Sequence, residues 1–167
     1  SGIGSAAIQI AKLHGARVIT TVGSDDKMAK AKALGADEVI QYRRQDFLEV
    51  VRALTDRRGV DVVFEHTGEA TFAQSVLALT WGGRLVTCGA TTGYMPKIDL
   101  RHVFFRQLSI FGSTMGSKAD LFDVLGHVRT GKLRPVVDRI FPLHEAADAH
   151  RYVEDRAVFG KVVLQVG

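Results

Sequence analysis

The chain has a single cysteine, Cys88, so no internal disulfide can form. No apolar run approaches the roughly 20 residues of a membrane span, and no charged-then-apolar start resembles a signal peptide. The expected location is therefore cytoplasmic, where lone thiols stay reduced. The histidines, His14, His66, His102, His127, His144 and His150, show no metal-ligand spacing with Cys88. Zinc needs three or four such ligands converging, so no zinc site is expected in this chain. No stripe of basic residues is present either. Arg43-Arg44 and Arg57-Arg58 are isolated pairs, and the net charge of +4 reads as solvated surface charge. Nucleic-acid binding is not expected, whereas an anionic small ligand would suit a basic chain. There is no internal repeat and no low-complexity segment.

What is present is a globular composition, 46% hydrophobic and 24% charged, in a chain of one domain's length. It opens Ser1-Gly2-Ile3-Gly4-Ser5 and runs directly into a helix-like segment, Ala6 to Lys12. That is the back half of a dinucleotide-binding glycine loop. Glycines here let a backbone approach a pyrophosphate, and the following helix offers unpaired N–H groups to an anion. On its own the motif fits an ordinary tight turn equally well.

Beyond it, short β-branched runs alternate with helical patterns. Strands are expected at Arg17–Val22, Asp37–Ile40, Val60–Phe64, Arg84–Cys88 and Leu108–Phe111. Helices are expected at Asp25–Leu34, Phe47–Leu54, Thr71–Leu79 and Leu121–Val128. Such alternation predicts an α/β fold with a parallel sheet covered by helices on both faces. The tail adds Arg139–Leu143, a helix near Glu145–Glu154 and an apolar closing strand, Gly160–Val166, which need not join the main sheet. Residue 1 already lies in the glycine loop, so the central strand that should precede it is absent. The expectation is that the natural protein continues upstream.

In order and spacing the segments resemble the carboxy-terminal half of a medium-chain dehydrogenase/reductase, of the zinc-type alcohol dehydrogenase and quinone oxidoreductase-like kinds. The motifs that carry the resemblance are Ser1–Gln9, Ala31–Ile40, Gly59–Val63, Gly82–Val86, Gly112–Gly116, Gly131–Val136 and Gly160–Leu164. It implies a doubly wound parallel (Rossmann) sheet lacking its first strand over residues 1–139. Residues 140–167 would form a tail that returns to a missing catalytic domain. That missing domain would hold any zinc ligands and most of the substrate pocket.

The resemblance also implies a cofactor site. Gly2, Ile3 and Gly4 match the pyrophosphate turn. The second strand ends Val22-Gly23-Ser24, without the carboxylate that an NAD site places at its tip to bind a ribose hydroxyl. Ser24 and Lys27 are then candidates for a 2′-phosphate, which leans the reading to NADP over NAD. Against this, Ser24 is also a good helix N-cap, and Asp25 and Asp26 could reach a ribose hydroxyl. Tyr42 matches a position near the adenosine phosphate, with Arg43 a weaker candidate. Thr67, Gly89, Ala90, Phe111 and Ser113 follow or end strands where ligands sit in such sheets, and are expected to line the ribose and nicotinamide. Lys161 matches a lysine near the closing strand. His66 reads as a loop histidine near the ribose rather than an acid or base, and Cys88 as a buried strand residue.

No nucleophile–base arrangement appears, which fits hydride transfer, where the cofactor carries the chemistry. The expected function is that of the cofactor-binding domain of an NAD(P)-dependent oxidoreductase, acting on an alcohol, aldehyde, quinone or enone. The alternatives are a non-catalytic NADPH-binding or RNA-binding module, or another Rossmann-like user such as a methyltransferase. Partners would be a small-molecule substrate and a second copy of the chain. The second copy would pair through the edge strand near Leu108–Phe111 to make a homodimer or tetramer.

Overall fold

The computed structural model describes residues 1–167. In chain order the elements are α1 (Gly2–Leu13), β1 (Ile19–Val22), α2 (Asp25–Ala33), β2 (Glu38–Gln41), α3 (Phe47–Leu54), β3 (Val60–Glu65), α4 (Phe72–Ala78) and β4 (Leu79–Thr87). After these come α5 (Leu100–Phe105), β5 (Ser109–Gly112), α6 (Lys118–Arg129), β6 (Val137–Pro142), a 3₁₀ turn at Leu143–Glu145, α7 (Ala146–Glu154) and β7 (Lys161–Gln165). The chain divides into two compact units, residues 1–41 with 116–167, and residues 42–115.

Every strand pairing is parallel. In the first unit β1 pairs with β2, and β6 with β7; in the second the order is β3-β4-β5. This is the Rossmann-like α/β arrangement that the β–α alternation implies. β1 is hydrogen-bonded only to β2 and β3 only to β4, and Val62 and Phe64 of β3 stand half exposed.

The first unit is centred on Ile8, Val22, Ala31, Ala36 and Phe159, with Val136 packed against them. Phe159, near the carboxyl terminus, thus shares a core with the first helix and strand. The core of the second unit is Phe72, Val76, Leu79, Leu85 and Leu108, and Leu85 is fully buried.

Local chemistry sets several helix starts. Asp46 caps α3, its carboxylate accepting from the N–H groups of Leu48 and Glu49 at 2.8 and 3.3 Å. Ser117 and Asp120 cap α6 reciprocally, which satisfies donors that would otherwise lack acceptors.

Two features of the second unit differ most from the sequence reading. Helix α4 ends at Ala78 and β4 starts at once at Leu79, five residues before the expected Arg84. The reason is Arg106, whose guanidinium takes the carbonyls of Val76 at 2.8 Å, Leu77 at 3.4 Å and Leu79 at 2.9 Å. With those end-of-helix carbonyls satisfied, the chain turns out and Thr80–Gly83 bulges, Gly82 donating to the Arg106 carbonyl at 2.8 Å. Helix α5 is the second difference. It is only six residues long, is started by the Asp99 carboxylate and buries no residue fully, with Val103 alone packed against the core; so short a helix carries too few turns for periodicity to mark it.

Candidate functional site

Gly2, Ile3 and Gly4, read as a loop, instead form the first turn of α1, with Ser1 as its N-cap. The Ser1 hydroxyl accepts from the Gly4 N–H at 3.1 Å, leaving the N–H groups of Gly2 and Ile3 for an outside acceptor. The Lys161 side chain lies across Gly2. A Cβ added to Gly2 would come within 2.8 Å of Lys161 Cδ and 3.0 Å of Nζ. A helix N-terminus that opens on glycine with an ammonium beside it is a favourable place for an anion.

Gly160 sets where Lys161 stands. Its φ is +107°, and a Cβ there would strike the Val136 carbonyl and come within 2.7 Å of Val136 Cγ1. The close approach lets the Lys161 N–H reach that carbonyl at 2.8 Å and start β7.

Ser24 occupies the N-cap position of α2, but its side chain makes no capping bond. The Ser24 hydroxyl beside the Asp26 carboxylate is the main reason that the Asp26 pKa lies below the usual carboxylate value. Lys27 donates to the Arg156 carbonyl at 2.5 Å. Lys27 therefore already has a partner within the first unit, and Ser24 stands beside a carboxylate.

In the second unit Tyr42 is exposed just after β2. Gly89, Ala90 and Ser113 come together with Cys88 and Gly112 around an open pocket of about 490 Å³ at the carboxyl ends of β4 and β5. Phe111 pairs with Val86 and is half exposed. Cys88 corrects the sequence reading. It is half-buried just past the end of β4, lines this pocket, and donates its N–H to the Glu65 carbonyl at 3.1 Å.

Thr67 lies in the loop after β3, which is tied to the loop after β4. The Thr67 carbonyl accepts from both the N–H and the hydroxyl of Thr92 at 2.8 Å. Gly68 has φ +91°, and a Cβ there would fall 2.6 Å from the Gly93 carbonyl and 2.8 Å from Ala90 Cα. His66, in the same loop, is half-buried beside the Phe64 ring.

Glu65, the last residue of β3, escaped the sequence reading. It is 4% exposed and accepts from the Thr67 N–H at 2.6 Å, the Gly68 N–H at 3.1 Å, the Thr71 hydroxyl at 3.0 Å and the Ser75 hydroxyl at 2.7 Å. Burial pushes its pKa up, but these hydrogen bonds outweigh burial and leave it below the usual carboxylate value. A carboxylate closing a strand that reads Val-Asp-Val-Val-Phe-Glu was the only available signal.

A zinc ion does not fit this chain, since no group of three or more His, Cys, Asp or Glu side chains converges. The residues present do suit the pyrophosphate of a dinucleotide, because the first-turn N–H groups of Gly2 and Ile3 lack an intrahelical acceptor and the Lys161 side chain lies beside them. No helix is long and apolar enough to cross a membrane.

Comparison with known proteins gives this arrangement a family. The family model for zinc-binding dehydrogenases matches residues 2–129. A 2-haloacrylate reductase from Burkholderia sp is 32% identical across 98% of this chain and 52% of its own length. The crystal structure of an NAD-dependent alcohol dehydrogenase superposes with a TM-score of 0.93 at 54% identity, covering 100% of this chain and 49% of that one. The 2-octenoyl-CoA carboxylase reductase CinF, solved with NADP and 2-octenoyl-CoA, gives a TM-score of 0.90 at 32% identity, covering 98% of this chain and 41% of that one. The chain spans about half the length of the reductase. With parallel ladders, a glycine-led first helix and a match running from that helix through α6, the chain belongs to the zinc-binding dehydrogenase family.

Proposed function

We propose that this chain is the cofactor-binding part of an NAD(P)-dependent oxidoreductase that moves a hydride to or from an alcohol, aldehyde, quinone or enone. The observation that carries this reading is the start of α1, where Lys161 lies across Gly2. The first-turn N–H groups of Gly2 and Ile3, with Gly4 behind them, would hold the pyrophosphate, and the Lys161 ammonium would neutralise it. Thr67, Gly89, Ala90, Phe111 and Ser113 would border the ribose and nicotinamide, and Tyr42 the adenosine. A nicotinamide cofactor supplies the hydride chemistry when bound; this chain's residues bind and orient it. The segment from residue 140 would reach toward a catalytic domain, a role suited to the exposed Ile140 and Leu143.

For the adenosine end, the missing carboxylate at the tip of β1 supports NADP, with Ser24 and Lys27 on the 2′-phosphate. Binding would then draw the Lys27 ammonium away from the Arg156 carbonyl. The Asp26 carboxylate beside Ser24 favours a second reading, NAD, because it could meet a ribose hydroxyl at the same position. Titrating the natural full-length protein with NADPH and NADH by fluorescence separates the two. Tighter NADPH binding supports Ser24 and Lys27 as phosphate ligands, clearly tighter NADH binding overturns that assignment, and binding of neither overturns the cofactor reading.

Strand β5 is bonded only to β4, and Ile110 and Phe111 on it are at least 40% exposed. Such an edge suits pairing with a second copy across a two-fold axis, giving a dimer or tetramer. Sedimentation that finds only monomer in the full-length protein overturns this.

A further inference from the structure

We infer that Glu65 is a positioning residue for the nicotinamide half of the cofactor site, its buried carboxylate fixing the Thr67–Gly68 backbone and through it the loop that carries Gly89 and Ala90. The inference rests on the cofactor reading above.

A carboxylate this buried is costly unless its oxygens are fully bonded. No lysine or arginine forms an ion pair with Glu65; its partners are backbone N–H groups and hydroxyls. Oε1 receives the Thr67 and Gly68 N–H groups, at 2.6 and 3.1 Å. Oε2 receives the Ser75 hydroxyl at 2.7 Å, and the Thr71 hydroxyl bridges both oxygens at 3.1 and 3.0 Å. The side chain thus reaches forward from the end of β3 and anchors the start of α4 and the loop between them.

That loop holds its neighbour in turn. Ala70 donates to the Thr92 hydroxyl at 3.0 Å and Glu69 to the Gly93 carbonyl at 3.2 Å. Gly68 packs so closely on Ala90 and Gly93 that no side chain fits between them. A shift of the Thr67–Gly68 backbone therefore moves Ala90, which lines the open pocket. Nothing in this chain of contacts passes through the start of α1 or through Ser24. Its loss should weaken contacts to the nicotinamide half and leave the adenosine half alone.

The test compares full-length wild type with Glu65→Leu, which keeps the volume and removes both acceptors, and with Glu65→Gln, which keeps one oxygen for the two N–H groups. NADPH and 2′,5′-ADP are titrated separately, with NADH and AMP used instead if the wild type prefers NADH. Glu65→Leu should weaken dinucleotide binding about tenfold or more and leave the adenosine fragment within about twofold, and Glu65→Gln should restore most of the dinucleotide affinity. If Glu65→Leu does not fold, Glu65→Asp, whose carboxylate is drawn back by one methylene, carries the same comparison. Unchanged dinucleotide binding in the variant, or an equal loss for dinucleotide and fragment, overturns the inference alone. A wild type that binds neither dinucleotide overturns the cofactor reading and this inference with it.

Discussion

Gln9 and Arg134 hold one another in both directions. The Gln9 amide nitrogen donates to the Arg134 carbonyl at 3.0 Å, and the Arg134 N–H donates to the Gln9 amide oxygen at 2.9 Å. A side chain on the first helix thereby pairs with backbone just ahead of β6, as a neighbouring strand would. It joins residues far apart in sequence whose apolar counterparts, Ile8 and Val136, pack in one core. Replacing Gln9 by Leu removes both bonds. With net hydrogen-bond contributions of about 1 kcal/mol each, a loss of about 1–2 kcal/mol is expected. It should appear as a lower urea midpoint with an unchanged slope. An unchanged midpoint would mean that the pair is solvent-replaced at no cost.

Gly160 has no room for a side chain. Gly160→Ala adds a Cβ directly against the Val136 carbonyl at a φ of +107°, a region that alanine avoids. The expected cost is about 1–3 kcal/mol, read as a lowered Tm. Since Gly160 places Lys161 across Gly2, the same variant should also weaken dinucleotide binding. A variant with wild-type Tm would show that β7 can start without this contact.

Arg106 works as a cap, not as an ion-pair partner. Burial, with a smaller contribution from the Arg52 charge, lowers its pKa from the ordinary arginine value. The planar guanidinium is shared among the carbonyls that end α4. Arg106→Lys keeps the charge but cannot span them. A loss of about 1–3 kcal/mol is expected, because buried carbonyls are left without donors. Amide exchange should accelerate at Gly82, whose N–H bonds to the Arg106 carbonyl. If lysine restored wild-type stability, the charge and not the fork would be the working feature.

Glu65 should make stability depend on pH in a definite direction. Burial raises its pKa and the surrounding donors lower it, with a net depression below the reference 4.5. A group with a depressed folded pKa binds fewer protons folded than unfolded near that value. Its stabilisation is therefore present above about pH 4.5 and is lost as the pH falls through the lower folded value. Urea midpoints of wild type and Glu65→Gln should differ at about pH 7 and converge as the pH falls below the folded value. A gap that widens on acidification would reverse the sign assigned here.

Much of the fold was legible because its causes are local. Helical periodicity over Phe47–Leu54 marks a helix, and α3 begins and ends there, with Asp46 as its cap. The β–α alternation implied parallel pairing, and every ladder is parallel. Where the reading of α4 and β4 slipped, a distant residue was acting. Helix α4 is cut at Ala78 by a guanidinium on the far side of β4. The glycines of the opening pentapeptide are in the first turn because the Ser1 hydroxyl caps them.

The candidate site divides in the same way. Glycines at strand ends and a lysine after Gly160 are sequence features, and the structure places them at the start of α1 and around the pocket beyond β4 and β5. Glu65 was invisible by contrast, since a glutamate at a strand end has no meaning until its donors are known.

The sequence by itself determined the parallel α/β class, the order of its elements and the residue types suited to a dinucleotide, since periodicity, caps and glycine spacing act between near neighbours. Only the tertiary structure decided that Lys161 lies across Gly2, that Arg106 ends α4, and that Glu65 holds the Thr67 loop. The first two join residues far apart in sequence, and the third depends on burying a carboxylate among donors that converge only in the folded chain, so no local pattern encodes them.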